Sequence, residues 1–310
     1  MQMQGMRSAI ECTSEPGPRT FSCSASLEMK PGSFRTAASV AALLLPCLVV
    51  FGGLQVLPLL KMIQISFSSG PFEVADSPFQ SYRELVADPY FQRIVLRTFA
   101  LAFLASLACA VLGYPVAYYF TKVTTRKRLV FILIISPLLV GIVVRTLGWT
   151  IVLGSEGLVN NLLIYSGLVD QPVQLMGNFW SALTGVVHIL LPFMILSIAS
   201  VLAKLDPAVV EAAAVSGASP WQRFVWVILP LSFRGVAAGI TIVFCLAVGS
   251  YITPLWLGQG KVVVMSMAIY DQMLVMVDWP SGAAASVLLM GVAVIALLGH
   301  SLLMRVWTKR

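Results

Sequence analysis

Charge is scarce in this chain. Only 11% of its 310 residues are Asp, Glu, Lys or Arg, against about 25% in soluble domains. Histidine is rarer still: His188 and His300 fall in different apolar stretches, so they form no ligand cluster. There is no HExxH and no GxSxG. The Gly260-Lys261 pair has Leu255 where a phosphate-binding loop needs glycine, and Val262 where it needs Ser or Thr. The five cysteines, Cys12, Cys23, Cys47, Cys109 and Cys245, are odd in number and include no CxxC. Three of them sit in apolar runs and read as small hydrophobes, neither disulfides nor metal ligands. Without a catalytic constellation an intramembrane enzyme has no support. Any uphill work draws on another subunit or on an ion gradient.

What is present is apolar: 58% of residues are hydrophobic and the mean hydropathy is +0.90. This is the composition of an integral membrane protein, in which the bilayer supplies the apolar phase. Six stretches reach the roughly 20 residues a bilayer demands: 38–65, 94–120, 129–153, 179–203, 233–257 and 284–306. They predict an all-α, polytopic protein with six transmembrane helices over 37–310. The first contains Pro46, Gly52, Gly53 and Pro58 and is expected to kink. Residues 1–36 are polar, lack a signal-peptide core and are expected to be a disordered cytoplasmic tail. Met29, which opens MKPGSFR before the first span, is a candidate alternative start.

The net charge of +7 has a topogenic pattern. One side collects Arg7, Arg19, Lys30 and Arg35; Lys122, Arg126, Lys127 and Arg128; Lys204, Arg223 and Arg234; and Arg305, Lys309 and Arg310. The other side holds most of the acids: Glu73, Asp76, Glu84, Asp88, Glu156, Asp170, Asp271 and Asp278. Both termini are therefore expected in the cytoplasm, and the basic balance is no nucleic-acid footprint. Outside, 154–178 is expected to hold a short surface or re-entrant helix around Val159 to Tyr165, and 258–283 an amphipathic helix along the membrane face.

One cytoplasmic stretch, Asp206–Pro230, is neither a span nor a short loop. It reads as two short helices. Pro207 opens an Ala-rich helix, Gly217 permits a turn, Ser219-Pro220 restarts a helix, and Pro230 ends or kinks it. Ala212, Ala213 and Ala214 leave a smooth face that another protein's surface could approach, with Glu211 at its edge. The same alanines would also suit an ordinary loop helix.

The order Glu211-Ala212-Ala213, Gly217, Val227, Leu229, Pro230 resembles the EAA loop of bacterial ABC-importer permeases. Six positions agree across twenty residues, and Val227 stands where isoleucine is usual. The resemblance implies that 205–230 docks into a separate ATP-binding subunit through Glu211, Ala212, Ala213, Gly217, Leu229 and Pro230. VRTLGWTIVLGSEGLVNNLL (144–163), YITPLWLGQG (251–260) and DWPSGAA (278–284) resemble the spermidine/putrescine permease group, over a core of about 90–305. This implies a type I importer with two permease subunits (identical or not), two ATPase subunits and an extracytoplasmic solute-binding protein. ATP and Mg would be bound by the ATPase, with no cofactor in this chain, in the bacterial inner membrane.

Candidates for the substrate pathway are Arg145, Trp149, Asn160, Tyr251, Trp256 and Asp278. Arg145 either snorkels to the outer headgroups, or takes part in gating or pairs with Glu156 or Asp170. His188, mid-span, is a neutral imidazole bonded within the bundle or a functional group. Tyr251, Pro254 and Trp256 suit either an interfacial belt or a broken pathway helix. Aromatics beside carboxylates, as at Asp278-Trp279, attract organic cations, although a solvated turn is the simpler reading there. The alternatives are a permease for another small solute, such as an opine or amino-acid derivative, and an ion-coupled secondary carrier. No internal repeat between 38–153 and 179–306 supports a carrier.

Overall fold

The computed structural model describes residues 33–68, 79–122 and 127–308. Most of the predicted tail, with Met29, lies outside the described residues, as do Glu73, Asp76, Arg126, Lys309 and Arg310. The chain divides at Leu59/Leu60 into two compact units. The described part of the first is a stretch of helix α1 (Ser33–Ser66), which contains the first predicted span and stays helical through Pro46 and Pro58. The helix also takes in Ser33–Thr36, which were expected to belong to the tail.

The second unit holds the remaining helices: α2 (Gln80–Ala87), α3 (Pro89–Lys122), α4 (Lys127–Leu139), α5 (Ile142–Leu153), α6 (Leu158–Tyr165), α7 (Phe179–Leu202), α8 (Pro207–Val215), α9 (Pro220–Arg223), α10 (Leu229–Val248), α11 (Ile252–Leu257), α12 (Met265–Tyr270) and α13 (Trp279–Thr308). Single π turns, Phe224–Ile228 and Asp271–Val275, join α9 to α10 and extend α12. Among the described residues, five helical segments are long and apolar enough to cross a membrane: 89–122, 142–165, 179–202, 220–248 and 279–302.

The core is the three-way packing of α3, α7 and α10. Leu101, Ala105 and Cys109 meet Val186, Met194 and Ile198, and then Val243 and Ala247. In a bilayer, helices gain little by hiding apolar surface from lipid, so small residues that let backbones approach decide who packs with whom. Met194 illustrates the point. It is fully buried between Gly113 of α3 and Gly239 of α10, and a Cβ on either glycine would press into its side chain. A smaller cluster, with Leu85, Phe91, Ile94, Met265 and Ala284, joins α2, α3, α12 and α13. Thr98 ties α12 to α3 by accepting from the Met265 amide at 2.8 Å.

Three predicted boundaries move. The third span is not one helix over 129–153: α4 stops at Leu139, soon after Pro137 removes a backbone donor, and the chain restarts from an extended Gly141. The apolar crossing then runs from Ile142 to Tyr165, bent between Gly154 and Gly157. The fifth begins at Pro220 and ends at Val248, with 252–257 a separate short helix. The predicted amphipathic helix of 258–283 is shorter than expected. Gln259 and Gly260 form a left-handed turn, α12 with its π turn follows, and Val277 at φ +59° turns the chain into α13.

Candidate coupling and pathway sites

Each turn of 206–230 is fixed locally. The Asp206 side chain accepts from the Ala208 amide at 2.9 Å, Pro207 occupies the first helical position, and α8 runs to Val215. Gly217 adopts φ +85°, a region that side chains resist, and lets the Ala218 amide close on the Ala213 carbonyl at 3.1 Å. Ser219 and Gln222 form a reciprocal capping box: the Gln222 amide donates to Ser219 Oγ at 3.3 Å and the Ser219 amide to Gln222 Oε1 at 2.8 Å.

Of the two outcomes expected at Pro230, an end or a kink, the helix does not end: it continues, with a π turn over 224–228 that accommodates the proline. The Leu229 amide reaches back five residues to the Phe224 carbonyl, widening the turn that would otherwise bring the proline ring against the Trp226 carbonyl.

The result is an elbow that buries nothing of its own first helix. No residue of α8 is buried; Val215 is 90% exposed and Trp221 72%. The elbow is nevertheless anchored. Phe224 packs edge-to-face against Tyr114 and Tyr118 of α3, at 5.6 and 5.8 Å, and Tyr114 shares a 2.7 Å hydrogen bond with Ser232 of α10. A cavity of ≈ 280 Å³ lies behind α8, bounded by Lys122 and Tyr118 of α3, Leu205, Val210 and Glu211. Sequence reasoning missed Tyr114, Tyr118, Phe224 and Ser232, because nothing in their spacing separates them from other aromatics and hydroxyls of a span.

The pathway candidates do not form one group. Arg145 and Trp149 share a face of α5 one turn apart. Trp149 donates its indole N–H to His188 Nδ1 at 3.1 Å, so His188 is an acceptor there and carries no proton on that nitrogen. This matches the bonded-imidazole reading, with an indole as the partner. Arg145 Nε and Nη1 are buried with no hydrogen-bond partner.

Asn160 is fully buried and committed to the loop. Its amide donates to the Gly154 and Val173 carbonyls at 2.8 and 3.0 Å and accepts from the Val173 amide at 2.9 Å. Asp278 is an exposed cap of α13, accepting from the Ser281 amide at 3.2 Å.

Tyr251 lies in the break between α10 and α11. There the ring of Tyr270, on α12, stands 5.1 Å away, and Ser266 donates to the Ser250 carbonyl at 2.7 Å. Asp271, exposed and next to Tyr270, lies within electrostatic range of the Tyr251 hydroxyl. Thr253 and Pro254 of α11 are buried against α5 and α7, while Trp256 stays 41% exposed. Sequence reasoning named Tyr251 as a pathway candidate and set carboxylate beside aromatic at Asp278-Trp279. The return of α12 instead brings Tyr270 and Asp271 to it.

Comparison with known proteins adds four findings. Residues 36–307 match the family described as binding-protein-dependent transport system inner membrane component. The spermidine/putrescine transport system permease protein PotB of Escherichia coli (strain K12) is 35% identical over 237 residues, 75% of this chain and 86% of that protein. PotB of Haemophilus influenzae is 31% identical over 74% and 82% respectively. A bacterial alginate ABC transporter, solved in complex with an alginate pentasaccharide-bound periplasmic protein, shares the fold with TM-score 0.76 over 90% of this chain and 98% of its own, at 20% identity.

Proposed function

Since this chain belongs to the family of binding-protein-dependent transport system inner membrane components, we propose that it lines half of the pathway of an ATP-driven importer of polyamines such as spermidine and putrescine. The chain is a transport subunit of the inner membrane. Its proposed partners are two ATPase subunits, which bind ATP and Mg, a second permease subunit, and an extracytoplasmic solute-binding protein. Counting α1, six helices span the bilayer with both termini in the cytoplasm.

The observation that carries this proposal is α8. A nine-residue helix, firmly capped at its start and closed by a left-handed glycine, buries no residue in its own chain. Such a helix presents its face to something else. ATP binding closes the ATPase pair on α8 of each permease. The edge-to-face contact of Phe224 with α3 and the Tyr114–Ser232 bond then pass the displacement to α3 and α10, which rock the pathway between inward-open and outward-open states. Glu211, Ala212, Ala213, Gly217, Leu229 and Pro230 transmit force and do no covalent chemistry.

A polyamine suits the outer cluster. Two tyrosine faces and the Asp271 carboxylate offer cation–π and charge contacts for an alkylammonium group. Trp149, Tyr251 and Trp256 remain pathway residues, with Tyr270 and Asp271 added.

The test is uptake of labelled spermidine by cells expressing the chain with its cognate subunits. Uptake is expected to vanish on deletion of the chain and on disabling the ATPase. Uphill spermidine uptake by the purified chain alone in liposomes, on an ion gradient and without nucleotide, would overturn the proposal.

A further inference from the structure

The short segment between α8 and α10 lies in a layer of its own. Leu229–Val248 is 20 residues of helix, about 30 Å at 1.5 Å per residue, which is the thickness of a bilayer's hydrocarbon. The apolar crossing nevertheless begins at Pro220 and runs for 29 residues. The surplus, α9 and its π turn, therefore stands in the headgroup region. With the elbow in the cytoplasm, as the importer reading has it, that region belongs to the cytoplasmic leaflet.

The residues there suit such a layer. Trp221 and Trp226 are 72% and 78% exposed. An indole settles where its ring meets acyl chains and its N–H meets headgroups. Trp221 is also stacked on Phe224 at 5.7 Å, which ties it to the anchored part of the elbow.

Arg223 lies between the two indoles in sequence. Its Nε is buried with no hydrogen-bond partner, so part of the guanidinium's water is already lost and no group of the chain replaces it. Of the acids nearby in the chain, Asp206 is spent on capping α8 and Glu211 borders the cavity behind α8. An anion that meets the terminal nitrogens from outside restores the loss. Arg234, exposed in the second turn of α10, brings another cation to the same layer by extending its stem. A phosphate fits this place. It is the anion present at that depth, it matches the guanidinium fork, and anionic lipids of the cytoplasmic leaflet attract cations held this close to the membrane.

We propose that 220–228 binds an anionic phospholipid, with the headgroup phosphate on Arg223 and the indoles of Trp221 and Trp226 at the acyl-chain boundary. The lipid pins the elbow to the membrane surface, so that displacement of α8 passes into α10 instead of tilting the elbow off the bilayer. Lipid binding follows from the place of the segment; its consequence for coupling rests on the importer reading.

The experiment uses the complete complex of the full-length chain and its cognate subunits, reconstituted in nanodiscs of phosphatidylcholine with increasing phosphatidylglycerol. ATPase activity stimulated by the loaded binding protein is expected to rise with the phosphatidylglycerol fraction. In Arg223→Gln the fraction that gives half the rise is expected to be about five-fold higher, the worth of one cation at an anionic surface. In Arg223→Lys it is expected to stay close to that of the unaltered chain. Trp226→Ala truncates an exposed side chain and is expected to shift the midpoint the same way; it carries the comparison should Arg223→Gln fail to accumulate. Activity independent of phosphatidylglycerol would overturn the proposal, and so would an unmoved midpoint in either variant. Loss of the ATPase subunit from the Arg223→Gln complex would overturn it too, because the arginine would then be holding that protein. Failure of the importer reading looks different: no ATPase subunit co-purifies with the unaltered chain. Native mass spectrometry of that chain alone still reads the phosphatidylglycerol it retains, again expected to be about five-fold less with Arg223→Gln.

Discussion

At the scale of single residues, position in the bilayer matters less than which hydrogen bonds a side chain owes. Asn160 was legible as a polar residue in an apolar loop, and therefore a pathway candidate. Its amide is instead spent on Gly154 and Val173, across a loop that closes only in three dimensions. Asn160→Ala removes three hydrogen bonds and leaves the Val173 amide without its partner. A loss of about 2–4 kcal/mol is expected, read as a lower unfolding midpoint of the detergent-solubilised chain and faster proteolysis within 166–175. Asp271 is the converse case, an outer acid that sequence gave no reason to single out. Its place beside Tyr251 depends on α12 folding back alongside the helix break, a contact between distant elements that no local pattern encodes. Asp271→Asn is expected to raise the KM for spermidine about two- to five-fold with little change in the maximal rate, since one favourable charge contact at an exposed site is worth about 0.5–1 kcal/mol. An unchanged KM in transport assays would remove Asp271 from the pathway.

At the scale of elements, helix starts were readable and helix continuity was not. The signals at Asp206-Pro207, Gly217 and Ser219-Pro220 are short-range, and each produced the cap or turn it implies. Continuity through Pro230 depends on a π turn, whose cost is met by packing of Phe224 on α3. Likewise the breaks at Gly141 and after Val248 interrupt runs whose hydropathy alone reads as continuous. Pro230→Ala permits a regular α-helix from Pro220 onward. Removing the extra residue of the π turn rotates α9 by about 100° relative to α10, so uptake is expected to fall several-fold with membrane insertion intact. Amide exchange over 224–228 checks the cause, because a regularised helix exchanges more slowly there. In the core, Gly239→Val drives a branched side chain into Met194, which is fixed between two backbones. Overpacking of about 1–3 kcal/mol is expected, with the unfolding midpoint lowered and partly recovered by Met194→Ala, which vacates the space.

At the scale of the whole molecule, the elbow is rigid in itself and exposed to its surroundings, which is the combination a mechanical handle needs. Its internal hydrogen bonds hold its shape, and its aromatic anchor commits it to α3 and α10, while no residue of α8 is buried and its half-buried Val210 rests against the core. Damage there should therefore separate transport from folding. Gly217→Pro tests this directly. Proline holds φ near −65° and cannot adopt +85°, so α8 is redirected while the helices above it keep their packing. Glu211→Lys tests the same face by charge, without altering the backbone. Both variants are expected to insert and unfold like the unaltered chain, to lose at least ten-fold in spermidine uptake, and to leave the ATPase of the assembled complex unresponsive to the loaded binding protein. Normal uptake by either variant at normal membrane levels would mean that α8 is an ordinary surface helix. The force would then have to enter the membrane helices by another route.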